Sequence, residues 1–85
     1  MQRGWVVSPQ YRKAVEAIKA ARESKGISQR ELARRLEKPP SFVNKIELLE
    51  RRIDILEFVQ WAKALDTSAD ELIRSVEAAV SGIPD

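Results

Sequence analysis

The chain has 85 residues, 44% hydrophobic and 33% charged, a composition that fits one folded domain and excludes a disordered chain. Without cysteine or histidine it can form no disulfide, no thiol redox centre and no Cys/His zinc site. No apolar run approaches the ~20 residues of a membrane span, and the start up to Ser8-Pro9 is too short for an apolar signal core, so a cytoplasmic setting is expected.

The net charge of +2 is unevenly placed. Residues 1–52 carry 13 Lys+Arg and 6 Asp+Glu, a balance of +7; residues 53–85 carry 2 and 7, a balance of −5. A basic front half can meet a polyanion, although the same charges also serve as ordinary solvated helix surface.

In chain order, the punctuation is helical. Ser8-Pro9 offers a helix cap followed by proline at the first helical position. Tyr11, Ala14, Val15, Ile18 and Ala21 then recur at helical spacing, and Gly26 supplies the break. Ser28-Gln29-Arg30-Glu31 reads as a capping box that opens a helix with Leu32, Ala33 and Leu36 facing inward. Asp54-Ile55-Leu56-Glu57 repeats the pattern. Its helix is expected to bury Leu56, Val59, Ala62 and Leu65, with Ile55 and Phe58 flanking. Ser68-Ala69-Asp70-Glu71 is a third box, followed by Leu72, Ile73, Val76 and Val80 and ended by Gly82 and Pro84. Nothing alternates like a strand, so the reading is a compact all-α domain.

Between Glu31 and Glu47 the chain reads ELARRLEKPPSFVNKIE. Pro39 and Pro40 disfavour helical geometry in the residues before them, yet proline is tolerated in a first helical turn. One helix therefore stops near Leu36 or Glu37 and another starts at once, after a turn of about three residues, which is a helix-turn-helix arrangement. With Pro40 at zero and about 100° per residue, Asn44 falls near 40°, Ser41 near 100° and Lys45 near 140°, while Ile46 and Val43 fall near 240° and 300°. The second helix thus has an apolar side and an opposed polar side, the latter suited either to plain solvent or to base edges and phosphates.

The stretch from Ala17 to Ile73 resembles the lambda-repressor-like, Cro/CI-type (XRE) helix-turn-helix family. Gly26-Ile27-Ser28-Gln29, Glu31-Leu32-Ala33 and Ser41-Phe42-Val43-Asn44-Lys45-Ile46-Glu47 carry the resemblance. Ala62-Lys63-Ala64-Leu65 and Ser68-Ala69-Asp70-Glu71-Leu72 match the family's closing helices. The resemblance implies a bundle of about five helices spanning 1–85 as a single domain, core about 8–75, with a short N-terminal arm and C-terminal tail. It implies binding to double-stranded DNA, usually as a homodimer, with no cofactor, no metal and no catalysis. A protein-interaction module of the same fold, or an antitoxin-type regulator that also binds a partner protein, is the alternative.

By the same resemblance, Gln29 holds a phosphate, in keeping with the attraction of a helix start for anions. Pro40, Ser41, Asn44 and Lys45 face bases or adjoining backbone, with proline limited to apolar contact. Arg51 and Arg52 neutralise phosphates beyond the recognition helix, and Arg30, Arg34, Arg35 and Lys38 offer further cations. Arg22 and Glu47 match a pair that bridges the first helix to the end of the recognition helix. Phe42 either wedges beside the groove or packs at the core edge. Glu37 stands where the family often has a turn glycine, so a positive φ there would be strained. Leu48-Leu49 stands where Arg-Gly is common. The recognition helix is then expected to run on toward Glu50, or the two leucines to join Trp61 in an exposed apolar patch. For the dimer surface, Val76, Val80 and Ile83 with Trp61 are the candidates; Trp5 and the N-terminal arm either reach DNA or pack on the bundle.

Overall fold

A computed structural model describes residues 7–84, which form five helices: α1 (Pro9–Ser24), α2 (Gln29–Arg35), α3 (Ser41–Glu47), α4 (Ile55–Ala64) and α5 (Ala69–Val80). No strand occurs among the described residues. Trp5 and the N-terminal arm, for which a DNA or packing role was expected, lie outside them.

The starts follow the sequence signals. Ser8, Ser28, Asp54 and Ser68 each accept a hydrogen bond from the backbone N–H three residues on, satisfying donors the helix leaves over. Only the Asp54 start closes as a reciprocal box, with Glu57 returning to the Asp54 N–H at 3.0 Å. At the other two expected boxes the glutamate goes elsewhere: Glu31 to Arg34 and Arg35, Glu71 to the Thr67 hydroxyl.

The ends share one device. Gly26, Glu37, Leu49, Asp66 and Gly82 all have positive φ. After α1 to α4 each is framed by the same two bonds, exemplified by Glu37 N–H to the Arg34 carbonyl and Lys38 N–H to the Ala33 carbonyl. This is the Schellman stop, which satisfies the last carbonyls. Glu37 does adopt the left-handed conformation, at φ 58°. Leu49 does too, at φ 65°, so α3 stops at Glu47 and does not run on toward Glu50. Leu49 is buried, which accounts for a leucine in a position that favours glycine: its side chain contributes packing that glycine cannot. Between α2 and α3 lie residues 36–40, a longer connection than the expected three-residue turn, because Pro40 serves as the cap of α3 and not as its first turn.

Ile18, Leu32, Val43, Ile46, Trp61 and Leu65 form the sealed centre of the core. α1 packs along α5, and Gln10 Nε2 closes the bundle by donating to the Ile83 carbonyl at 2.9 Å. Trp61 lies wholly in the core and donates to the Ile18 carbonyl at 3.3 Å, so it takes no part in an exposed patch or a dimer surface. The expected inward face of α4 is also corrected. Trp61, Ala62 and Leu65 are buried, but Leu56, Val59 and Ile55 are exposed, as is Ile73 on α5. Apolarity alone could not tell which side of α4 the bundle would cover.

On α2, hydrogen bonds from Arg34 and then Arg35 pull the Glu31 carboxyl from its ordinary 4.5 down to about 2. A depressed carboxylate contributes stability that is present above its unfolded pKa and lost as pH falls through the folded value. The pH-dependent part of the stability difference between native protein and Glu31→Gln should therefore be constant above about pH 4.5, shrink as pH falls and be gone only below about pH 2, read from urea midpoints across that range.

Candidate nucleic-acid interface

α3 is held by its inner side. Val43 and Ile46 are completely buried, at roughly 1.5–3 kcal/mol each for side chains of this size. Their burial fixes the rotation of a helix only seven residues long, too short to be stable alone. The outer side then presents Pro40, Ser41 and Lys45 as exposed residues and Asn44 as half-buried. The wheel expectation holds, with Asn44 seated lower than its neighbours.

The lower end of α3 is pinned by a buried ion pair. Arg22 on α1 donates through Nε to Glu47 Oε2 at 2.8 Å and through Nη2 to Glu47 Oε1 at 3.0 Å. Its Nη1 donates to the Ile27 carbonyl at 2.7 Å. The Arg22 side chain is 9% exposed and that of Glu47 2%. The hydrogen bond that Arg22 donates to Glu47 raises the Arg22 pKa above its ordinary value, against burial, which lowers it. A forked arginine–carboxylate pair of this kind fixes direction as well as charge.

Gln29 joins the same centre. Its Nε2 donates to Glu47 Oε1 at 2.7 Å. The side chain expected to hold a phosphate is thus tied to the helix expected to read bases. An amide nitrogen carries two hydrogens, so one remains for an outside acceptor.

Arg51 and Arg52 lie in the loop after α3 as expected, but each also has work within the protein. Arg51 forks onto Glu57 at 2.7 and 2.8 Å, donates to the Arg52 carbonyl at 2.8 Å, and stands 4.9 Å from the centre of the Phe42 ring. The Arg51 hydrogen bond lowers the Glu57 pKa, so the α4 cap and the loop cation stabilise each other. Arg52 stands 4.6 Å over the Tyr11 ring, whose hydroxyl accepts from the Ile53 N–H at 3.1 Å. Phe42 is half-buried against the core, not a free wedge, and Lys38 lies 5.3 Å from the other cation's ring partner, the same Phe42. This gathering of Lys38 and Arg51 on one aromatic ring was not foreseen. The only hint in the sequence is a single aromatic residue bracketed by cations. Arg34 and Arg35 are both engaged by Glu31, and Arg30 is exposed.

The profile of the family described as helix-turn-helix matches residues 18–72. The chain belongs to that family, of the XRE, lambda-repressor-like type. Among solved structures it is similar to an XRE-family like protein from Pseudomonas syringae pv. tomato str. DC3000, at 39% identity and a TM-score of 0.75, over 81% of this chain and 84% of that one. No curated protein matches the sequence. The matched residues span all of α2, α3 and α4, so this helix-turn-helix chain carries both halves of the motif and the ion pair that joins them.

Breaking the buried pair should be costly. Glu47→Ala strips the buried Arg22 of its forked partner, leaving the Ile27 carbonyl and the more exposed Glu23 at 3.9 Å, and should lose about 3–5 kcal/mol, while Arg22→Met with Glu47→Leu should recover most of it. Urea unfolding of the two single variants and the double variant measures the coupling.

Proposed function

We propose that this protein is a sequence-specific DNA-binding transcriptional regulator, non-catalytic and without cofactor, that reads the major groove of double-stranded DNA with α3. The observation that carries this reading is the division of α3. Val43 and Ile46 are sealed in the core, while Ser41 and Lys45 are exposed and Asn44 half-buried on the opposite side. Asparagine can pair with adenine through two bonds, lysine with guanine, and serine with either. Pro40 offers only apolar contact, as to a thymine methyl.

Gln29 and the loop cations would hold phosphates and set the register, leaving the choice of site to α3. The commitment of Arg51 to Glu57 and of Arg52 to Tyr11 makes both positioned cations, already ordered before DNA arrives. Family membership supports the reading, as does the basic balance of residues 1–52. A protein of this kind would act in the cytoplasm as a homodimer on paired half-sites.

A second reading has one observation in its favour. The exposed apolar side of α4 could be covered by a different protein, as in an antitoxin-type regulator. A salt-sensitive mobility shift on DNA supports the first reading; no shift, together with a stoichiometric partner, supports the second.

Duplexes selected from a random pool provide the operator. On it, Asn44→Ala and Lys45→Ala should each weaken binding by ~1–3 kcal/mol with the helical circular-dichroism signal intact. Gln29→Ala should weaken binding to all duplexes alike. Unchanged operator affinity in both α3 variants would remove the groove assignment.

A further inference from the structure

Arg51 stands just past the stop of α3 with its side chain 43% exposed, and the Glu57 side chain that it grips is 12% exposed. The carboxylate therefore lies inward and the guanidinium outward. Both carboxylate oxygens are engaged: Oε1 accepts from Arg51 Nη1 and from the Asp54 N–H, and Oε2 accepts from Arg51 Nη2. The α4 cap does not require the arginine, since the exchange between Asp54 and Glu57 closes the box by itself. The fork has a different effect: it sets a fixed negative charge beneath an exposed cation.

The same bonds decide what Arg51 has left to offer. A guanidinium carries five N–H donors in one plane. Glu57 takes one from Nη1 and one from Nη2, and the Arg52 carbonyl takes the second of Nη1. Among the described residues, nothing takes the Nε hydrogen or the second of Nη2. Those two lie side by side on one edge, a second fork of the kind that fits two oxygens of a phosphate. The Phe42 ring backs the group at 4.9 Å. Lys38 approaches the same ring at 5.3 Å and makes no ion pair among the described residues. Of the two cations gathered on Phe42, one is paired with a carboxylate and the other is not.

The Arg51 hydrogen bond keeps Glu57 ionised by lowering its pKa. A phosphate on the free edge would share one guanidinium with that carboxylate. The two anions would then lie inside the ~8 Å Debye length of physiological salt, so salt would not hide one from the other.

Building on the DNA-reading function, we propose that Glu57 sets the strength of the phosphate contact at Arg51: it holds one edge of the guanidinium, leaves the other edge for a single backbone phosphate of the duplex, and cancels most of the cation's charge. A cation that neutralises a phosphate releases a counterion and adds about 0.9 to the slope of log affinity on log salt. Arg51, already paired, adds little. It gives the phosphate a direction, while Lys38 is the uncancelled cation of the cluster. Glu57 is thus a positioning residue that restrains the sequence-independent part of binding and leaves more of the affinity to the base contacts of α3.

Fluorescence anisotropy of the full chain on the selected duplex and on an unrelated one, across a salt series, tests this. Glu57→Gln keeps the capping box. It should steepen the salt slope by about 0.9 on both duplexes, so that its affinity relative to the native chain rises about 3.5-fold between about 200 and about 50 mM salt. Glu50→Gln removes the same charge from an exposed position of the same loop and should leave the slope unchanged. Arg51→Gln combined with Glu57→Gln should return the slope to the native value. Circular dichroism confirms that the variants fold. An unchanged or shallower slope in Glu57→Gln, or equal steepening by Glu50→Gln, overturns the proposal. A second titration, of the DNA-free chain with inorganic phosphate, follows the Arg51 Nε–H resonance. That signal should move and saturate at lower phosphate in Glu57→Gln than in the native chain. If the native chain binds no duplex, the DNA reading fails, and the phosphate titration still decides the role of Glu57: an equal response in both proteins overturns it.

Discussion

The helix-turn-helix depends on the Arg22–Glu47 pair. Through three hydrogen bonds the Arg22 guanidinium reaches the carboxylate at the end of α3 and the Ile27 carbonyl at the entry to α2. Gln29 completes the set by donating to Glu47. One buried charge pair thus joins the last turn of α1, the first residue of α2 and the last residue of α3. Apolar burial of Val43 and Ile46 sets how α3 is rotated, but burial is non-directional and leaves sliding along the helix axis weakly defined. The forked pair supplies the missing direction. Charges this deep are retained at a cost in desolvation, and removing either partner leaves the other buried without its fork.

The stops between helices serve the same end. Left-handed residues at Glu37, Leu49 and Asp66 cut α2, α3 and α4 cleanly, although none is glycine. Each such residue carries a strain of about 1–2 kcal/mol, which neighbouring contacts must offset. For Leu49 the offset is visible as burial. Beyond that stop, Arg51 links the Phe42 ring to the capping box of α4. The loop that leaves α3 is consequently fixed at both ends, with Arg51 held by Glu57 and Arg52 over Tyr11.

Much of this was legible in the sequence, and the misses have physical reasons. Caps at Ser8, Ser28, Asp54 and Ser68 announce four helix starts because a short oxygen-bearing side chain there satisfies free N–H groups. The inward pair Val43 and Ile46 follows from spacing alone. The ion pair was legible only through family resemblance, since residues 22 and 47 share no local pattern. On α4 the expected and observed inner faces differ because a broad apolar arc does not mark which part of it the bundle covers. With Ile55, Leu56 and Val59 beside the true inner stripe, the apolar arc is wider than one inner face, and only packing decides which part is covered. Reciprocal boxes at Glu31 and Glu71 failed to form because closer partners compete: Arg34 and Arg35 on the same helix for one, Thr67 for the other.

Nuclear magnetic resonance of the labelled chain, titrated with its selected duplex, tests most directly whether α3 is aimed outward to read DNA. Shifts should concentrate on the backbone amides of Ser41, Asn44 and Lys45 and on the side-chain amides of Gln29 and Asn44, with the middle of α5 silent. Shifts gathered on α5, with those α3 and Gln29 signals unmoved, would contradict it.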